Sequence, residues 1–575
     1  MAVLTKNNWK IKDTPSEQQV ARLAADLPKV DRNIVRLMIQ RGICTIEEAR
    51  AFFRPQLTDL HDPFLMKNMD RAVNRLSDAV SSGEKVLVYG DYDVDGTTAV
   101  ASMYLFLSSL SQNTAYYLPD RYIEGYGISF RGIDFAAENG FSLIIALDCG
   151  IKAVEKVQYA KQKGIDFIIC DHHTPGDTLP DAYALLDPKQ PGCDYPFKEL
   201  SGCGVGFKLI QAFILHHNMD MRMAWSLLDL VAISIGADIV DMTGENRILA
   251  HYGLESINAD PRPGIKALLE TASAKPTVSI TQVVFILAPR INAAGRISHA
   301  KGAVELLLSQ SEDEAKTLSE AVELNNRERK ELDKESTTEA LAEIENMGYD
   351  PGRRSTVVCS ERWHKGVVGI VASRLIEQHY RPTIVLTKKD GILSGSARSI
   401  EGFNLYEAID ACSEWLLQFG GHMMAAGMSL KAENLEAFTE AFERECRLRL
   451  PAEPVPAISI DMEVEADFVS DKNLRLLEQL APFGPGNMHP VFVTRQLTDA
   501  IGTRPVGGDM SHLKLELKDD RGIRLSGIGF GLGPWAETIK TGARVDVAYT
   551  LEFNEFRGNV TVQLMVKDIK LSGEE

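Results

Sequence analysis

The sequence predicts an α/β protein with two α/β domains, the first built on a parallel sheet, joined by a long helix and followed by a C-terminal all-β barrel. Three observations predict this architecture. Short β-branched runs alternate with helical segments after residue 80, a second alternation begins at Ser355, and strand candidates with glycine-rich turns follow Pro456. At roughly 150 residues per domain, a chain of 575 residues is long enough for several cores.

The first α/β domain is predicted from four short apolar runs. Segments with helical periodicity, Thr98–Ser109 and Ala153–Lys163, separate several of them, and the first eighty residues also have helical patterns. Because strands that alternate with helices form βαβ units, the sheet should be parallel, with ligands at the carboxyl ends of its strands. The four runs are Val86–Tyr89, Ala115–Leu118, Leu143–Leu147 and Phe167–Cys170.

The rest of the chain divides at a charged segment and at a proline-rich linker. Ser311–Met347 predicts one long or broken solvated helix that links two domains, and Pro451–Pro456 predicts a linker before a small barrel. The predicted barrel strands are Val491–Val493, His512–Leu517, Ile523–Phe530, Arg544–Phe553 and Asn559–Ile569. The predicted domains are a helical segment of the core at 1–80, a parallel-sheet domain at 81–255, a helical connector at 256–350, a second α/β domain at 351–450 and the barrel at 457–575.

The composition is that of a soluble globular protein with reduced thiols. Hydrophobic residues make up 45% and charged residues 25% of the chain, which excludes disorder as a description of the whole. The apolar stretches are far shorter than the roughly 20 residues of a membrane span. The eight cysteines include no Cys-x-x-Cys pair, so buried thiols in a cytoplasmic protein are expected. The net charge of −18, taken alone, argues against a polyanionic partner.

The strongest chemical signal is the segment Val88–Thr97, in which an apolar strand leads into Asp91, Asp93 and Asp95. Alternate residues of an extended chain point the same way, so the three carboxylates should converge. Unpaired carboxylates would repel one another, and a bound Mg²⁺ or Mn²⁺ would remove that repulsion. A glycine turn with solvated acids is the alternative. A calcium loop is excluded because Met103 stands where such a loop needs a glutamate.

Two further strand candidates end in possible ligands, Asp148 after the third run and Asp171-His172-His173 after the fourth. A lone Asp at such a place is usually a helix N-cap. Clusters at the ends of consecutive parallel strands would instead lie side by side, which favours a shared metal centre. Asp238, which follows a long apolar segment, is a fourth candidate. Asp and His ligands without cysteine suit Mn²⁺ better than a structural zinc.

These motifs resemble those of the DHH phosphoesterase superfamily, and the motifs further along the chain resemble those of RecJ-type exonucleases. Motifs I to IV of the superfamily are matched by Gly-Asp-Tyr-Asp-Val-Asp-Gly (90–96), Leu-Asp-Cys-Gly (147–150), Asp-His-His (171–173) and Ala-Asp-Ile-Val (237–240). The RecJ-type motifs are matched at 289–296, 363–370, 395–399, 420–427 and 481–487. The resemblance covers nearly the whole chain in order. It implies a DHH domain, a DHHA1-type domain and an OB-like nucleic-acid-binding domain.

The resemblance implies a centre of two ions, Mn²⁺ or Mg²⁺, that would neutralise a phosphodiester and activate water for its hydrolysis. The implied ligands are Asp93 for one ion, Asp95, His172 and Asp238 for the other, and Asp148 as a bridge between them. His173 would face the scissile phosphate, so Asp148, His172 and His173 are the expected catalytic residues. Pyrophosphatases of the superfamily have a ligand histidine where this chain has Tyr89, which makes Asp91 the candidate replacement, directly or through water.

The resemblance also implies residues that hold the substrate. Arg121, Ser396 and Arg398 would bind a 5′-terminal phosphate, which would set the direction of degradation. Arg290 and Arg296 are either phosphate partners or interdomain salt-bridge residues. The candidates for substrate binding are Arg121, Arg290, Arg296, Ser396, Arg398, Gly421 and His422. The barrel aromatics, which are either stacking platforms for bases or core residues, are Phe530, Trp535, Phe553 and Phe556.

The implied function is that of a bacterial 5′→3′ exonuclease that is specific for single-stranded DNA, releases 5′-mononucleotides and acts in recombination and repair. A helicase and a single-strand-binding protein are the expected partners, and a monomer is the expected state. One rival is another DHH hydrolase, acting on pyrophosphate, a cyclic dinucleotide or very short oligonucleotides; the barrel argues against it. A second rival is a non-catalytic scaffold, against which the intact acidic motifs argue.

A basic channel inside an acidic shell would reconcile the net charge of −18 with a DNA substrate. Part of the acidic charge belongs to the metal motifs and part to the charged helix of Ser311–Met347. The basic residues around the motifs of the second α/β domain are Arg353, Arg354, Arg362, Lys365, Arg374 and Arg398.

Overall fold

The computed structural model describes residues 7–346, 348, 352–451 and 453–573, and these residues form two compact units. The core unit comprises residues 55–331 and 482–488. The C-terminal unit comprises the described residues up to Arg54, Leu332–Ala481 and those from His489 onward. Across the described ranges, no helix is both long enough and apolar enough to cross a membrane.

The N-terminal segment belongs to the C-terminal unit. Its first strand pairs in parallel with Ala457–Ile460, and the indole Nε1 of Trp9 donates to Asp568 at 2.8 Å. The structure therefore differs, up to Arg54, from the expectation that residues 1–80 form one helical segment of the core. The elements of the segment are β1 (Asn8–Ile11), α1 (Glu17–Asp26), α2 (Arg32–Gln40) and α3 (Ile46–Phe53).

The core unit is built on a five-stranded parallel sheet, as the alternation of strands and helices predicts. Its strand order is β3-β2-β4-β5-β6, so the strands that end at residues 90, 147 and 170 are direct neighbours. The fifth strand, a short one, was not predicted. The strands are β2 (Val86–Gly90), β3 (Thr114–Tyr117), β4 (Leu143–Leu147), β5 (Asp166–Cys170) and β6 (Ala184–Leu186).

Helices cover the sheet and continue through the region where a helical connector was expected. The first of them are α4 (Met69–Ser82), α5 (Val94–Ser108), α6 (Phe130–Glu138), α7 (Val154–Gln162), α8 (Gly202–His216), α9 (Arg222–Trp225), α10 (Leu228–Asp238) and α11 (Gly244–Ala259). They are followed by α12 (Pro263–Thr271), α13 (Ile280–Gln282), α14 (Ala288–Ile297), α15 (Lys301–Leu308) and α16 (Glu312–Asn346), with a π-helical turn over Val283–Leu287. The long charged helix predicted at Ser311–Met347 is confirmed as α16. Residues 347, 349 and 350 of the expected connector, and residue 351, where the second α/β domain was expected to begin, lie outside the described residues.

Helix α10 lies at the centre of the helical layer, packed against α5, α8 and α11. It is mostly apolar, and its residues from Leu228 to Gly236 are buried on all sides, as expected for a helix without a solvent face. At Gly253 of α11 the helices approach so closely that a Cβ atom would lie 2.2 Å from the carbonyl oxygen of Leu228. This packing fixes the position of the N-terminal half of α10 against α11.

The second α/β domain is built on a mixed sheet. Its strand order is β10-β11-β9-β8-β7, in which only the pair β7–β8 is parallel. The strands are β7 (Thr356–Ser360), β8 (Thr383–Lys389), β9 (Ile392–Arg398), β10 (Gln418–His422) and β11 (Ala425–Lys431). The helices are α17 (Val368–Gln378), α18 (Leu405–Asp410) and α19 (Leu435–Arg449).

The C-terminal domain is a barrel, and the strand regions predicted from the sequence are confirmed. The strands pair around a closed ring in the order β14-β16-β17-β19-β18, which returns to β14. The strands are β12 (Ala457–Ile460), β13 (Met462–Glu463), β14 (Phe492–Asp499), β15 (Arg504–Val506), β16 (His512–Lys518), β17 (Arg524–Gly529), β18 (Val545–Phe556) and β19 (Asn559–Leu571). The helices are α20 (Asp471–Glu478) and α21 (Trp535–Lys540). Ala452, in the predicted linker, lies outside the described residues.

The contact at Gly253 gives a test of the helical layer. Gly253→Ala should lower the free energy of unfolding of the core unit by about 1–3 kcal/mol, because the new methyl group would overlap the backbone of α10. Gly302→Ala is the matched control, since a Cβ atom at Gly302 of α15 meets nothing within 4 Å and alanine favours a helix. Thermal unfolding should show a lower Tm for the first variant and an unchanged or higher Tm for the second. An equal Tm for both would contradict the packing.

Candidate metal centre

The motif I aspartates lie at the junction of β2 and α5. The strand ends at Gly90, Asp93 caps α5 by accepting from the Gly96 N–H at 2.9 Å, and Asp95 lies in the first helical turn. The prediction that three alternate aspartates share one extended strand was therefore wrong, because the N-cap bond starts a helix at once. Gly96 permits the tight junction, since a Cβ atom there would lie 2.4 Å from the carbonyl oxygen of Asp91.

Asp95 is buried and anchored by the start of another helix. Its carboxylate accepts from the backbone N–H groups of Gly202 and Cys203, at 2.7 and 2.8 Å, and from the Ser234 hydroxyl at 2.7 Å. The first N–H groups of a helix have no partner within the helix and favour a negative charge. Burial nevertheless raises the pKa of Asp95, and a protonated His172 would counteract that shift.

Asp148 and Asp171 lie at the ends of the neighbouring strands β4 and β5. The prediction that these strand ends lie side by side is confirmed by the sheet order and by the bond from the Asp148 N–H to the Cys170 carbonyl, 2.9 Å long. Asp148 adopts a left-handed backbone conformation with φ 58°. Asp171 accepts from the Ile151 N–H at 2.9 Å and lies 2.7 Å from Nδ1 of His173.

His172 is the meeting point of the cluster. Its Nε2 atom lies 3.3 Å from Asp148, 3.5 Å from Asp238 and 3.8 Å from Asp95. Asp238 reaches the cluster from the last position of α10. Two overlapping groups of possible ligand atoms, each within 4.8 Å, result: Asp148 with His172 and His173, and Asp95 with His172 and Asp238.

The cluster has buried polar atoms that a bound cation could satisfy. Both carboxylate oxygens of Asp91, one oxygen of Asp148 and both ring nitrogens of His172 are buried without a hydrogen-bond partner. Burial and nearby carboxylates raise the pKa values of Asp91 and Asp148 well above normal, and they raise that of Asp238 to about 8. Carboxylate oxygens and imidazole nitrogens in this arrangement suit Mn²⁺ or Mg²⁺, which would remove the repulsion.

Asp91 and Asp93 lie beside the two ligand groups rather than within them. Asp93 uses one oxygen for the helix cap, and its charge contributes to the raised pKa values of Asp91 and Asp148. Asp91 is buried with both oxygens unsatisfied. Its position is therefore compatible with the metal-binding role that is expected of Asp91 because Tyr89 stands in place of a ligand histidine.

The structure adds Tyr126 and Asp171 to the expected site. The Tyr126 hydroxyl lies 3.1 Å from Nε2 of His173 and 3.4 Å from the Asp148 carbonyl. Asp171 only accepts hydrogen bonds when ionised, so Nδ1 of His173 is the donor to it. Asp171 was visible in the Asp-His-His motif, but Tyr126 lies in a glycine-rich loop that has no ligand pattern of its own.

The three candidate arginines of the core unit differ in their surroundings. The Arg121 guanidinium lies over the Tyr92 ring, 4.7 Å from its centroid. Arg296 is half-buried, and its carbonyl accepts from Tyr122. Arg290 is buried and donates to Glu323 of α16 at 2.8 Å. This ion pair favours the salt-bridge interpretation of Arg290 over the phosphate-binding one. Both residues belong to the core unit, so the salt bridge lies within one unit and not between domains.

In the second α/β domain, the candidate residues lie together at the end of a sheet. Ala425 of β11 pairs with His422 on one side and with Arg398 on the other, so the two basic side chains occupy one row across three strands. A Cβ atom at Gly369 would lie 2.9 Å from the Arg398 guanidinium and 3.3 Å from the Ser396 hydroxyl. Both side chains therefore converge on the first turn of α17, where N–H groups favour an anion.

Gly421 is required by the hairpin that carries His422. A Cβ atom at Gly421, where φ is 150°, would lie 2.3 Å from the carbonyl oxygen of Ala425.

Two of the basic residues proposed for a channel instead stabilise the fold: Arg374 forms a bidentate pair with Asp333, and Arg354 donates to two backbone carbonyls.

The four barrel aromatics divide between core and surface. Trp535 is buried, with an exposed fraction of 5%, and belongs to the interior. Phe530 and Phe556 have exposed fractions of 63% and 64%, so their rings are accessible for stacking. Phe553 is half-buried beneath the guanidinium of Arg475, whose central carbon lies 5.0 Å from the ring centroid.

Comparison with known families divides the chain in the same way as the sequence motifs. Residues 85–235 match the model of the DHH family N-terminal domain. Residues 354–448 match the DHHA1 domain, and residues 460–568 match the RecJ OB domain. The metal cluster lies on strands and helices of the first match and on residues that follow it directly.

Individual relatives match over most of the chain. The single-stranded-DNA-specific exonuclease RecJ of Salmonella typhimurium is 35% identical over 96% of this chain and 97% of its own length. The crystal structure of RecJ from Thermus thermophilus in complex with Mn²⁺ superposes with a TM-score of 0.85 at 27% identity, covering 98% of this chain and 80% of that one. The RecJ exonuclease of Bacillus subtilis is 39% identical over 99% of this chain and 71% of its own length. The chain is therefore a member of the RecJ family of single-stranded-DNA-specific exonucleases.

Proposed function

We propose that this protein is a 5′→3′ exonuclease that degrades single-stranded DNA to 5′-mononucleotides with two Mn²⁺ or Mg²⁺ ions. The observation that carries the proposal is the buried cluster around His172, where Asp91 and Asp148 have unsatisfied oxygens. Relatives named as single-stranded-DNA-specific exonucleases, and RecJ structures in complex with Mn²⁺ and with Mg²⁺, support it. The closed barrel supports a polymeric substrate over a small diffusible one.

The metal-binding residues have distinct tasks in this proposal. Two bound cations would neutralise the charge of a phosphodiester and activate a water molecule for attack. The proposed ligands are Asp93 for one ion, Asp95, His172 and Asp238 for the other, Asp148 for both, and Asp91 in support of the first. Asp95 can bind an ion only in one orientation, because the N–H groups of Gly202 and Cys203 at the start of α8 hold both of its carboxylate oxygens.

His173 is proposed to contact the scissile phosphate. Burial alone would lower its pKa, but the hydrogen bond to Asp171 and the surrounding carboxylates raise it to about 9. This shift favours the imidazolium form, which carries protons on both nitrogens. Nδ1–H donates to Asp171, and Nε2 would donate its N–H to a phosphate oxygen on which negative charge develops, in place of the Tyr126 hydroxyl that lies 3.1 Å from it.

The second α/β domain is proposed to hold the 5′-terminal phosphate. Arg398, Ser396 and the first turn of α17 offer a guanidinium, a hydroxyl and backbone N–H groups to one anion. Arg121 of the core unit is the proposed second cation for this phosphate, and Gly421 and His422 are proposed to contact the strand near the scissile bond. Recognition of the 5′ end would determine the direction of degradation.

The wider setting follows from the same proposal. Phe530 and Phe556 of the barrel are proposed to stack on bases of the strand. We further propose a monomer that acts in the cytoplasm, in DNA recombination and repair, on single strands supplied by a helicase and covered by a single-strand-binding protein.

The polarity and metal dependence can be tested with end-labelled DNA. With Mn²⁺, 5′-labelled single strands should release labelled mononucleotide at once, 3′-labelled strands should lose their label last, and blunt duplex should persist. Asp148→Ala should reduce the rate by at least about 1000-fold, because it removes the carboxylate proposed to hold both ions. Asp177→Ala, at an exposed aspartate of the same domain, is the control. Digestion that survives EDTA or Asp148→Ala would refute the two-ion assignment.

The raised carboxylate pKa values predict how metal-free stability depends on pH. The folded pKa of Asp238, about 8, exceeds its usual value near 4. Between these values the folded state holds a proton that the unfolded state releases, so stability falls as the pH rises. In EDTA, the Tm should decrease from pH 6.5 to pH 8.5, and Asp238→Asn should raise the Tm at pH 8.5 by about 3–8 °C.

The control for this measurement is Asp177→Asn, which should leave the pH dependence of the Tm unchanged. Addition of Mn²⁺ should stabilise the wild-type protein at pH 8.5 and should stabilise Asp238→Asn less, because a ligand has been lost. A wild-type Tm in EDTA that increases over this pH range, in parallel with that of Asp238→Asn, would contradict the electrostatic account of the cluster.

Recognition of the 5′-phosphate can be tested separately from chemistry. Arg398→Gln should raise KM for 5′-phosphorylated strands by about 10–100-fold, because it removes a charged partner of the phosphate. It should change KM for 5′-hydroxyl strands much less. Arg449→Gln, at an arginine paired with Glu445 on the surface of the same domain, is the matched control. Equal effects of Arg398→Gln on both kinds of strand would contradict the proposed contact.

A further inference from the structure

Tyr89 has a fixed and fully buried position beside the metal-binding junction. It is the fourth residue of β2, directly before Gly90 and Asp91. Its ring stacks on that of Tyr117, with 5.4 Å between the centroids. A Cβ atom at Gly132 would lie 2.6 Å from the ring, so the packing leaves no room for the ring to move toward α6. The packing of the ring therefore holds the Tyr89 hydroxyl in one position.

The hydroxyl of Tyr89 binds two backbone groups of a single loop. It donates to the carbonyl of Gly127 at 3.0 Å and accepts from the N–H of Ser129 at 3.1 Å. Both groups belong to residues 118–129, which connect β3 to α6 and are here named the β3–α6 loop. One buried donor and one buried acceptor of the loop thus depend on this phenol, and both would be left unsatisfied without it.

Further hydrogen bonds extend from this point to the start of the loop. The Ser129 hydroxyl donates to Glu124 at 2.5 Å, and Glu124 also accepts from the Tyr117 hydroxyl at 3.0 Å and from the N–H of Asp120 at 2.8 Å. The Asp120 carboxylate accepts from the N–H of Tyr122 at 2.8 Å. The β3–α6 loop is therefore held by side chains along its length, from Asp120 to Ser129.

The β3–α6 loop carries side chains toward the metal centre. Arg121 lies over the ring of Tyr92, the residue between Asp91 and Asp93. Tyr126 lies 3.1 Å from Nε2 of His173. A shift of the loop would displace both the guanidinium proposed to bind the 5′-phosphate and the hydroxyl beside the proposed phosphate-contacting histidine.

We propose that Tyr89 is a positioning residue that fixes the β3–α6 loop for binding of the terminal phosphomonoester of the DNA strand. The inference rests on the proposed function of Arg121. It assigns to a buried phenol, acting through the hydrogen bonds of the β3–α6 loop, a share of the recognition of the 5′ end.

Tyr89→Phe tests the proposal, because it keeps the ring and removes only the hydroxyl. In EDTA, the Kd for a 5′-phosphorylated strand should rise about 5–10-fold, while the Kd for a 5′-hydroxyl strand should change less than about twofold. Mn²⁺ affinity, measured by electron paramagnetic resonance without DNA, should be unchanged. Tyr195→Phe, at a buried tyrosine that donates to Glu245 in the same unit, is the matched control and should change none of these values.

Two further measurements separate this proposal from the function on which it rests. In an Arg121→Gln background, Tyr89→Phe should weaken binding by less than about twofold, because the two residues act through one contact. Hydrogen exchange of the Ser129 amide should be at least about tenfold faster in Tyr89→Phe, whatever the substrate proves to be. Unchanged exchange, additive losses or a loss of Mn²⁺ affinity would overturn the positioning role. A wild-type protein that binds both strands equally would instead refute the proposed function of Arg121.

Discussion

The placement of several carboxylates in one buried cluster is the constraint on which the rest of this structure depends. Asp91, Asp95 and Asp148 are withdrawn from water, and two of them retain unsatisfied oxygens. Such a cluster is unfavourable by itself, since burial and mutual repulsion both oppose ionisation. The parallel sheet, the helical layer and the close helix contacts compensate by burying apolar surface around it. Divalent cations then convert the unfavourable charge into a binding site.

The geometry of the cluster is set by elements that are remote in sequence. The strands β2, β4 and β5 are neighbours, so their ends deliver Asp91, Asp148 and Asp171 to one edge of the sheet. The start of α8 orients Asp95, and the last residue of α10 adds Asp238. Because the ligands come from several elements, a displacement of one of these elements relative to the others is expected to change the geometry of metal binding.

Patterns within single segments were predictable from the sequence, whereas contacts between segments were not. The strand ends at Asp148 and His172 were predicted from apolar runs that stop at polar residues. Their proximity was predicted because the carboxyl ends of parallel strands lie along one edge of the sheet. The helix predicted at Thr98–Ser109 begins earlier, at Val94, and its first turn was missed because an aspartate N-cap and an extended ligand motif look alike in sequence. The engagement of Arg290 by Glu323 and the approach of Tyr126 to His173 depend on packing between distant residues, which neither composition nor periodicity encodes.

The parallel pairing of β1 with β12 has a consequence for the synthesis of the chain. Asn8 pairs with Ala457, so about 450 residues must be added before the partner of the first strand exists. At about 5–20 residues per second, β1 waits roughly 20 to 90 seconds with its backbone groups unpaired. The parallel sheet of the core unit, which uses only segments between these two strands, can form in that interval. The earliest part of the polypeptide is thus among the last to reach its place, and an exposed strand edge accompanies the nascent enzyme until the barrel emerges.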